Sequence, residues 1–95
     1  MGAIASTEQD VQYLINQMHQ SDCVFVRNGH RHSGEEAAKH LTRKWDYAKD
    51  DITSTQVFID EVASKSWFTG TPYHVICQGQ QDTSANWLTQ QLKLR

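Results

Sequence analysis

The densest group of side chains that could carry chemistry lies in the segment from Arg27 to Glu35. His30 and His32 are two positions apart in it, and on a strand that spacing directs both imidazoles to one face. With His74 from a neighbouring strand, three histidines could bind zinc or copper. Solvent-exposed histidines on a polar hairpin are the simpler interpretation, and we favour it. We therefore assign no metal ligands and expect no cofactor, although the sequence leaves the metal question open.

Arg27 is the second candidate in this segment. It shares a strand face with Cys23 and Phe25, so its guanidinium begins among apolar neighbours and needs hydrogen-bond acceptors. We favour a structural role, in which a carboxylate of Glu35 or Glu36, or a carbonyl of the turn, accepts from it. The alternative is a small-ligand site that holds a carboxylate or phosphate at the start of the second helix. The binding residues of that site would be Arg27, Asn28, His30 and His32.

Two large aromatic side chains, Trp67 and Phe68, stand directly before the turn signal Thr69-Gly70-Thr71-Pro72. Loops run over protein surfaces because their backbone groups need water. An exposed Trp-Phe pair at such a place is typical of a protein-binding hot spot. The alternative is that both rings fold back onto the core, and the sequence does not decide between the two.

No constellation typical of catalysis is present in the sequence. There is no Gly-x-Ser-x-Gly elbow and no glycine-rich phosphate loop, and Cys77 and His74 would point to opposite faces of one strand. We therefore expect no catalytic residues and no enzyme activity. One polar stripe on the second helix is interpreted as a solvent-exposed face. It consists of His40, Arg43, Lys44 and Tyr47.

Hydrophobic periodicity and capping signals predict four helices. They are expected to begin near Ser6, Ser33, Ser54 and Thr83. Extended runs predict one strand before the Asn28-Gly29 turn, a weak return strand at His30–His32, and another strand that ends at Cys77. The polar residues 78–82 are expected to form a loop. Because short strands cannot enclose a core alone, this predicts an α+β fold with about four helices packed on a two- or three-stranded antiparallel sheet.

Length and composition suit a single domain over residues 1–95, with residues 1–6 as a flexible tail. The chain is 38% hydrophobic and 21% charged, as in an ordinary globular protein. Its formal net charge of −2 gives no positive field that would attract nucleic acid. No apolar run approaches the roughly 20 residues that span a bilayer. We therefore expect no nucleic-acid partner and no membrane insertion.

The cysteines, Cys23 and Cys77, each lie in a short apolar run, and they are far apart in the chain. A disulfide that closes a loop of this length would stabilise the fold by about 4 kcal/mol in the chain-entropy model. Two buried free thiols are the alternative, since cysteine is among the most buried residue types. The residues alone leave both alternatives open.

Six short motifs occur in a specific order between residues 10 and 95. They lie at residues 25–29, 36–41, 58–59, 63–64, 69–73 and 87–88. In this order and spacing they resemble the YfeK-like family of bacterial proteins of unknown function. The chain departs from that family at Trp67-Phe68, where members more often have small polar residues. The family supplies no known reaction.

The resemblance implies a location and a covalent bond. Members typically carry an N-terminal signal peptide, which implies that this chain is the mature part of an exported, periplasmic or secreted, protein of the bacterial envelope. Several members have cysteines at the two corresponding places. The resemblance therefore implies that Cys23 and Cys77 are bonded, because the periplasm is oxidising.

These observations predict a non-catalytic binding module for a protein partner, acting as an inhibitor or accessory factor, with Trp67 and Phe68 as its contact residues. The alternative is a small-ligand or metal-binding domain that uses the Arg27–Glu35 hairpin. An exposed aromatic pair would favour the first function, and a concave site at Arg27, His30 and His32 would favour the second.

Overall fold

Helices cover one face of an antiparallel sheet in this computed structural model, which describes the backbone of residues 2–95 and the side chains of residues 7–95. The helices are α1 (Gly2–Gln20), α2 (Gly34–Ala48), α3 (Thr55–Val57) and α4 (Ser84–Lys93). A 3₁₀ turn (Lys49–Asp51) follows α2, and α3 continues as a π-helical segment (Phe58–Ala63). The strands are β1 (Val24–Arg27), β2 (His30–His32), β3 (His74–Cys77) and β4 (Gln80–Thr83). The predicted α+β class is confirmed.

Three helices, α2, α3 and α4, begin where the sequence predicts, whereas α1 begins at Gly2, before the start near Ser6 that the sequence indicates. Ser33 caps α2 in a capping box with Glu36, and the hydroxyls of Ser54 and Thr83 cap α3 and α4. The flexible tail expected over residues 1–6 falls on Met1 and on side chains that lie outside the described residues, so it stays a prediction. No helix within residues 2–95 has both the length and the apolar character that a membrane crossing requires.

Both hairpins use the same tight two-residue connection. Asn28 and Gly29 join β1 to β2, with φ angles of 52° and 80°. Gln78 and Gly79 join β3 to β4, with φ angles of 52° and 81°. Two successive positive φ angles are typical of a type I′ turn, whose twist matches that of the paired strands. The sheet order is β2-β1-β3-β4, so the first strands of the two hairpins pair at its centre.

The number of strands corrects the sequence prediction. The sequence predicts a loop at residues 78–82, but β4 pairs with β3 from His74 opposite Thr83 to Cys77 opposite Gln80, and the sheet has four strands. All four side chains of β4 are exposed, so the strand lacks the alternation of apolar and polar residues that reveals a half-buried strand. The strand β4 is defined by its backbone hydrogen bonds, which cannot be read from the sequence.

The core lies between the helices and the inward face of the sheet. The apolar stripes of the four predicted helices and one side of the central strands meet there. The core includes Val11, Leu14, Met18, Phe25, Ala38, Leu41, Trp45, Phe58, Ile59, Val62, Val75 and Leu88. Phe25 contacts Trp87 of α4 edge to face, with ring centroids 5.3 Å apart, and Trp45 contacts Phe58 in the same way at 5.5 Å.

Cys23 and Cys77 form a disulfide across the two central strands, with their Cα atoms 4.5 Å apart. The register explains the pairing, because β1 and β3 place Val24 opposite Ile76, and the cysteines are the next residues outward. The bond implied by the family resemblance is confirmed. It joins residues 54 positions apart, and a loop of that size stabilises the fold by about 4 kcal/mol in the chain-entropy model.

Gly34 holds the start of α2 against the end of α1. A Cβ at this position would overlap the backbone carbonyl oxygens of Met18 and Ser21. Only glycine allows so close an approach of two backbones. The contact fixes where α2 begins, and α2 carries two residues of the site described next.

Candidate functional site

A cleft of about 220 Å³ opens between the end of β1, one side of α2 and the loop that leads into β3. We call it the cationic cleft. Arg27, His40 and Lys44 line it together with the aromatic residues Trp67, Phe68 and Tyr73. The sequence indicates Arg27 and Trp67-Phe68 as members of two separate candidate sites. The structure brings them together in one cleft.

Hydrogen bonds give the loop from Ser66 to Thr71 a defined shape. The Ser66 N–H donates to the Thr71 carbonyl at 3.0 Å, and the Gly70 N–H donates to the Ser66 carbonyl at 2.9 Å. The hydroxyl of the buried Ser66 accepts from the N–H groups of Phe68, at 3.2 Å, and Thr69, at 3.4 Å. Gly70 has a φ of 73°, which lets the chain reverse there. The loop therefore presents Phe68 on an ordered backbone.

An aromatic patch, consisting of Tyr47, Trp67 and Phe68, borders the cleft on its solvent side. Phe68 is 100% exposed, Tyr47 is 84% exposed and Trp67 is 46% exposed. The Trp67 ring contacts the Tyr47 ring at a centroid distance of 5.9 Å, and its indole N–H donates to the Glu61 carbonyl at 2.8 Å. Trp67 is thus held in place, while Phe68 projects into solvent. Neither ring folds back into the core.

Lys44 is the buried cation of the cleft, with 6% of its surface exposed. Its Nζ donates to the Lys65 carbonyl at 2.9 Å and to the Tyr73 hydroxyl at 3.2 Å. The ammonium also lies 4.5 Å from the centroid of the Trp67 ring and 4.9 Å from that of Tyr73, within cation–π range. Burial, reinforced by the charge of Arg27, lowers the pKa of Lys44 to about 8. Burial also raises the pKa of the Tyr73 hydroxyl, so it stays protonated.

Arg27 and His40 each contribute a buried polar atom that makes no hydrogen bond. These atoms are the Nε of Arg27 and the Nε2 of His40, and such atoms are rare in folded proteins. Burial, followed by the charges of Arg27, Lys44 and Arg43, lowers the pKa of His40 to about 4, so its imidazole is neutral at pH 7. Among the described residues, no carboxylate forms an ion pair with Arg27 or Lys44. The cleft therefore holds two positive charges without a counter-charge.

The acceptors expected for Arg27 are engaged elsewhere. A carboxylate oxygen of Glu36 accepts from the Ser33 N–H at 3.1 Å, and Glu35 lies 3.8 Å from the Nζ of Lys39. Both carboxylates thus serve the first turns of α2. The predicted pairing of Arg27 with Glu35 or Glu36 is wrong for this reason.

The four hairpin residues that the sequence indicates as a ligand site do not lie together. Arg27 and Asn28 line the cleft, but His30 is exposed on β2 and His32 lies 3.6 Å from the carboxylate of Glu36. The cationic cleft therefore includes Arg27 but neither His30 nor His32.

The three histidines that could have formed a metal site lie on two faces of the sheet. His30 and His32 pair with Arg27 and Phe25 on the inward face, whereas His74 pairs with Val26 on the outward face. Across the described part of the chain, no group of three or more His, Cys, Asp or Glu side chains is arranged to hold a metal ion.

The sequence did not indicate His40, Lys44 or Tyr73 as site residues. The interpretation of their stripe on α2 as solvent-exposed is wrong for Lys44, which is buried, and for His40, which is half-buried. Arg43 and Tyr47 are exposed as expected. Lys44 comes three positions after the buried Leu41, a spacing that places it beside the apolar stripe of α2. That spacing is the signal that could have identified it. The burial itself depends on Trp67 and Tyr73, which fold over Lys44 from far along the chain.

Comparison with known proteins gives a family but no activity. The sequence profile described as "Family of unknown function (DUF5329)" matches residues 5–95. The chain is similar to a curated protein of Salmonella typhimurium, "Uncharacterized protein YfeK", with 41% identity over 70 residues. The alignment covers 73% of this chain and 58% of the relative, so the chain spans less than two thirds of that protein's length. No solved structure matches the chain.

Proposed function

The chain belongs to the DUF5329 family of unknown function, and we propose that it is a non-catalytic binding module that takes a protein partner on its aromatic patch. The observation that carries this proposal is Phe68, whose side chain is wholly exposed on a loop fixed by hydrogen bonds. The partner would contact Phe68 and Trp67 first. The module would act as an inhibitor or as an accessory factor of that partner.

Rigid exposed aromatic rings are suited to binding. Large rings bury much apolar area when a partner covers them, and tryptophan and tyrosine are enriched among the residues that dominate binding energy. Binding also costs less when the contact residues are ordered beforehand. Trp67 meets this condition through its hydrogen bond to Glu61 and its contact with Tyr47.

Charge complementarity defines the chemistry of the partner. The aromatic patch adjoins Arg27 and Lys44, which have no ion-pair partner among residues 2–95. A matching surface would present an apolar side chain next to a carboxylate, because complementary charges select partners and fix the register of an interface. We infer that the partner carries such a segment.

A location outside the cytoplasm is part of the proposal. The disulfide between Cys23 and Cys77 supports it, since disulfides persist in oxidising compartments such as the periplasm and the extracellular space. The proposed module is therefore periplasmic or secreted.

Site-specific photo-crosslinking tests the proposal. A photoreactive phenylalanine analogue at position 68 is introduced into the protein in a bacterium that encodes it, and the envelope fraction is irradiated. The matched control places the same analogue at Gln81, which is exposed on β4, away from the cleft. Mass spectrometry then identifies the crosslinked peptide of the partner.

We expect one crosslinked protein at position 68 that is absent at position 81 and is lost when Trp67→Ala is added. The crosslinked peptide should contain an acidic residue or a chain terminus next to an apolar residue. Equal products at both positions, or no product at position 68, would contradict the proposal.

A further inference from the structure

We propose that the cationic cleft is a carboxylate pocket, in which Arg27 and Lys44 bind one carboxylate group while the apolar body attached to it rests against Trp67 and Phe68. This inference rests on the proposed function, because it names the chemical group of the partner that the module recognises. It assigns a binding role to Arg27 and Lys44 and a supporting role to His40.

The first argument is unbalanced charge. Arg27 is half-buried and Lys44 is buried, yet neither has a carboxylate partner in the described chain. Buried charges in proteins are normally paired, because removing a charge from water without a partner is costly. Two such charges in one cleft place a local positive field where an anion would supply the missing charge.

The second argument is unmet hydrogen bonding among the residues that line the cleft. The buried Nε of Arg27 and Nε2 of His40 have no partner. Lys44, by contrast, uses two of its three donors on the Lys65 carbonyl and the Tyr73 hydroxyl. These bonds fix the ammonium at the cleft, and its third N–H donor is available to a ligand. Guanidinium and ammonium groups positioned in this way form strong charge-assisted hydrogen bonds with a carboxylate.

The third argument concerns the size and lining of the cleft. A volume of about 220 Å³ accommodates a carboxylate together with a small apolar group. The cleft is also lined by aromatic rings, those of Trp67, Phe68 and Tyr73. An inorganic oxyanion would leave these rings unused, whereas an organic acid with an apolar body would contact both the cations and the rings. The lining therefore selects an organic carboxylate, such as the end of a polypeptide chain or an acidic side chain beside an apolar one.

A carboxylate in this place would also change the protonation of His40. The charged and titratable groups that face His40 are Arg27 of β1, His32 of β2, Arg43 and Lys44 of α2, and the Tyr73 ring at 6.2 Å. All the ionised groups among them are cations, and they oppose protonation of the imidazole. A bound carboxylate adds the opposite charge. Binding should therefore strengthen as His40 becomes protonated.

A titration with two small probes tests the inference. The probes are N-acetylphenylalanine, which carries a carboxylate and an aromatic ring, and N-acetylphenylalanine amide, which has the same ring without the charge. Binding is followed at pH 7 by the NMR signals of the Trp67 indole and the His40 imidazole. The acid should bind saturably with a Kd of roughly 1 mM and shift both signals, whereas the amide should do neither. A pH titration of the His40 signals with the acid bound should show a raised pKa.

Variants show which residues bind the charge. Arg27→Gln and Lys44→Gln should each weaken binding of the acid by about tenfold or more, since each removes a charge-assisted hydrogen bond. Lys39→Gln removes an exposed cation of α2 outside the cleft and should leave the Kd unchanged. Melting curves establish that each variant is folded. If one cleft variant unfolds, the other still decides the outcome.

The inference would be overturned if the acid and the amide bind equally well, or if inorganic phosphate binds more tightly than the acid. It would also be overturned if the acid shows no saturable binding at a concentration about ten times the expected Kd. These results are independent of the crosslinking experiment. A specific crosslink at position 68 without carboxylate binding would retain the proposed function and reject the pocket. Carboxylate binding without a crosslink would retain the pocket and reject the proposed function.

Discussion

Phe25 and Val75 lie opposite each other on the two central strands, at the centre of an approximate twofold relationship between two β-hairpin–helix units. The turn and helix-cap positions of the first unit have counterparts 50 residues later. The Asn28-Gly29 turn corresponds to Gln78-Gly79, and the cap residue Ser33 of α2 corresponds to Thr83 of α4. The sequence similarity between the units is too weak to reveal this relationship.

The two ends of the central strand pair have different roles. At one end, Cys23 and Cys77 form the disulfide. At the other end, continuing the same register, Arg27 and Tyr73 reach the wall of the cationic cleft. The disulfide thus fixes the alignment of the two strands that carry the site.

The disulfide predicts a large loss of stability on reduction. The double variant Cys23→Ser with Cys77→Ser should lose about 4 kcal/mol in unfolding free energy, which lowers the Tm by roughly 15 °C or more for a domain of this size. Thermal melts with and without reductant measure this. Thiol titration of the unfolded, unreduced protein should find no free thiol. Two free thiols would contradict the assignment.

Phe68 and Phe58 form a matched pair for stability. Phe68→Ala should change the unfolding free energy by less than about 0.5 kcal/mol, because its ring touches mainly solvent. Phe58→Ala should cost about 3–5 kcal/mol, because that ring is fully buried against Trp45. Urea denaturation compares the two variants. A strongly destabilised Phe68→Ala would mean that the ring has a core role.

The depressed pKa of His40 predicts a loss of stability in acid. The unfolded chain protonates this histidine near pH 6.5, and the folded protein does so only near pH 4. The contribution of His40 is therefore constant above pH 6.5 and falls between pH 6.5 and about 4. Relative to His40→Gln, the wild type should lose stability across that interval in urea denaturation.

His30→Gln, which removes an exposed histidine outside the cleft, is the control for this comparison. Parallel pH profiles of the wild type and His40→Gln would show that the imidazole is not held in its neutral form.

The lowered pKa of Lys44 predicts a gain of stability as the pH rises in alkaline solution. Its pKa is about 8 in the folded protein and 10.5 for an unperturbed lysine side chain, so the unfolded chain binds the proton more tightly. The unfolding free energy of the wild type, measured relative to Lys44→Met, should rise from pH 8 to about 10. The variant should be no less stable than the wild type at pH 7, because a buried cation without a counter-charge is costly. A flat difference between pH 8 and 10 would contradict this.

At Gly34, we expect the addition of a single methyl group to lower the unfolding free energy. Gly34→Ala places a Cβ against the carbonyl oxygens of Met18 and Ser21, so α1 and α2 must move apart. The expected cost is about 1–3 kcal/mol, as for other overpacked contacts. Glu35→Ala, at the next and exposed position, is the control and should have little effect. Urea denaturation of both variants checks the difference.

Most of the fold could be predicted because its signals are local. The capping box of Ser33 and Glu36, the Asn28-Gly29 turn and the apolar stripe of α1 all act within a few residues. β4 could not be predicted, because its polar side chains carry no pattern and its partner strand alone defines it.

The site was predicted only in part, for a related reason. Trp67 and Arg27 stand out by residue type, but the burial of Lys44 depends on rings that are distant in the chain. The expected partner of Arg27 is a carboxylate nearby in sequence, Glu35 or Glu36, or a carbonyl of the turn. Glu36 instead accepts from the Ser33 N–H, because a helix start has unpaired N–H groups to satisfy, and Glu35 lies beside the ammonium of Lys39.

The position of the disulfide has a consequence for proteolysis. Every residue of the cationic cleft lies between Cys23 and Cys77, inside the covalent loop. Exposed loop tips are preferred sites of proteolytic cleavage, and Phe68 offers a fully accessible aromatic side chain. A cut after Phe68 would yield two fragments that remain joined through the disulfide and packed in the same core. The protein can thus expose an aromatic loop to proteases without losing either half of its site.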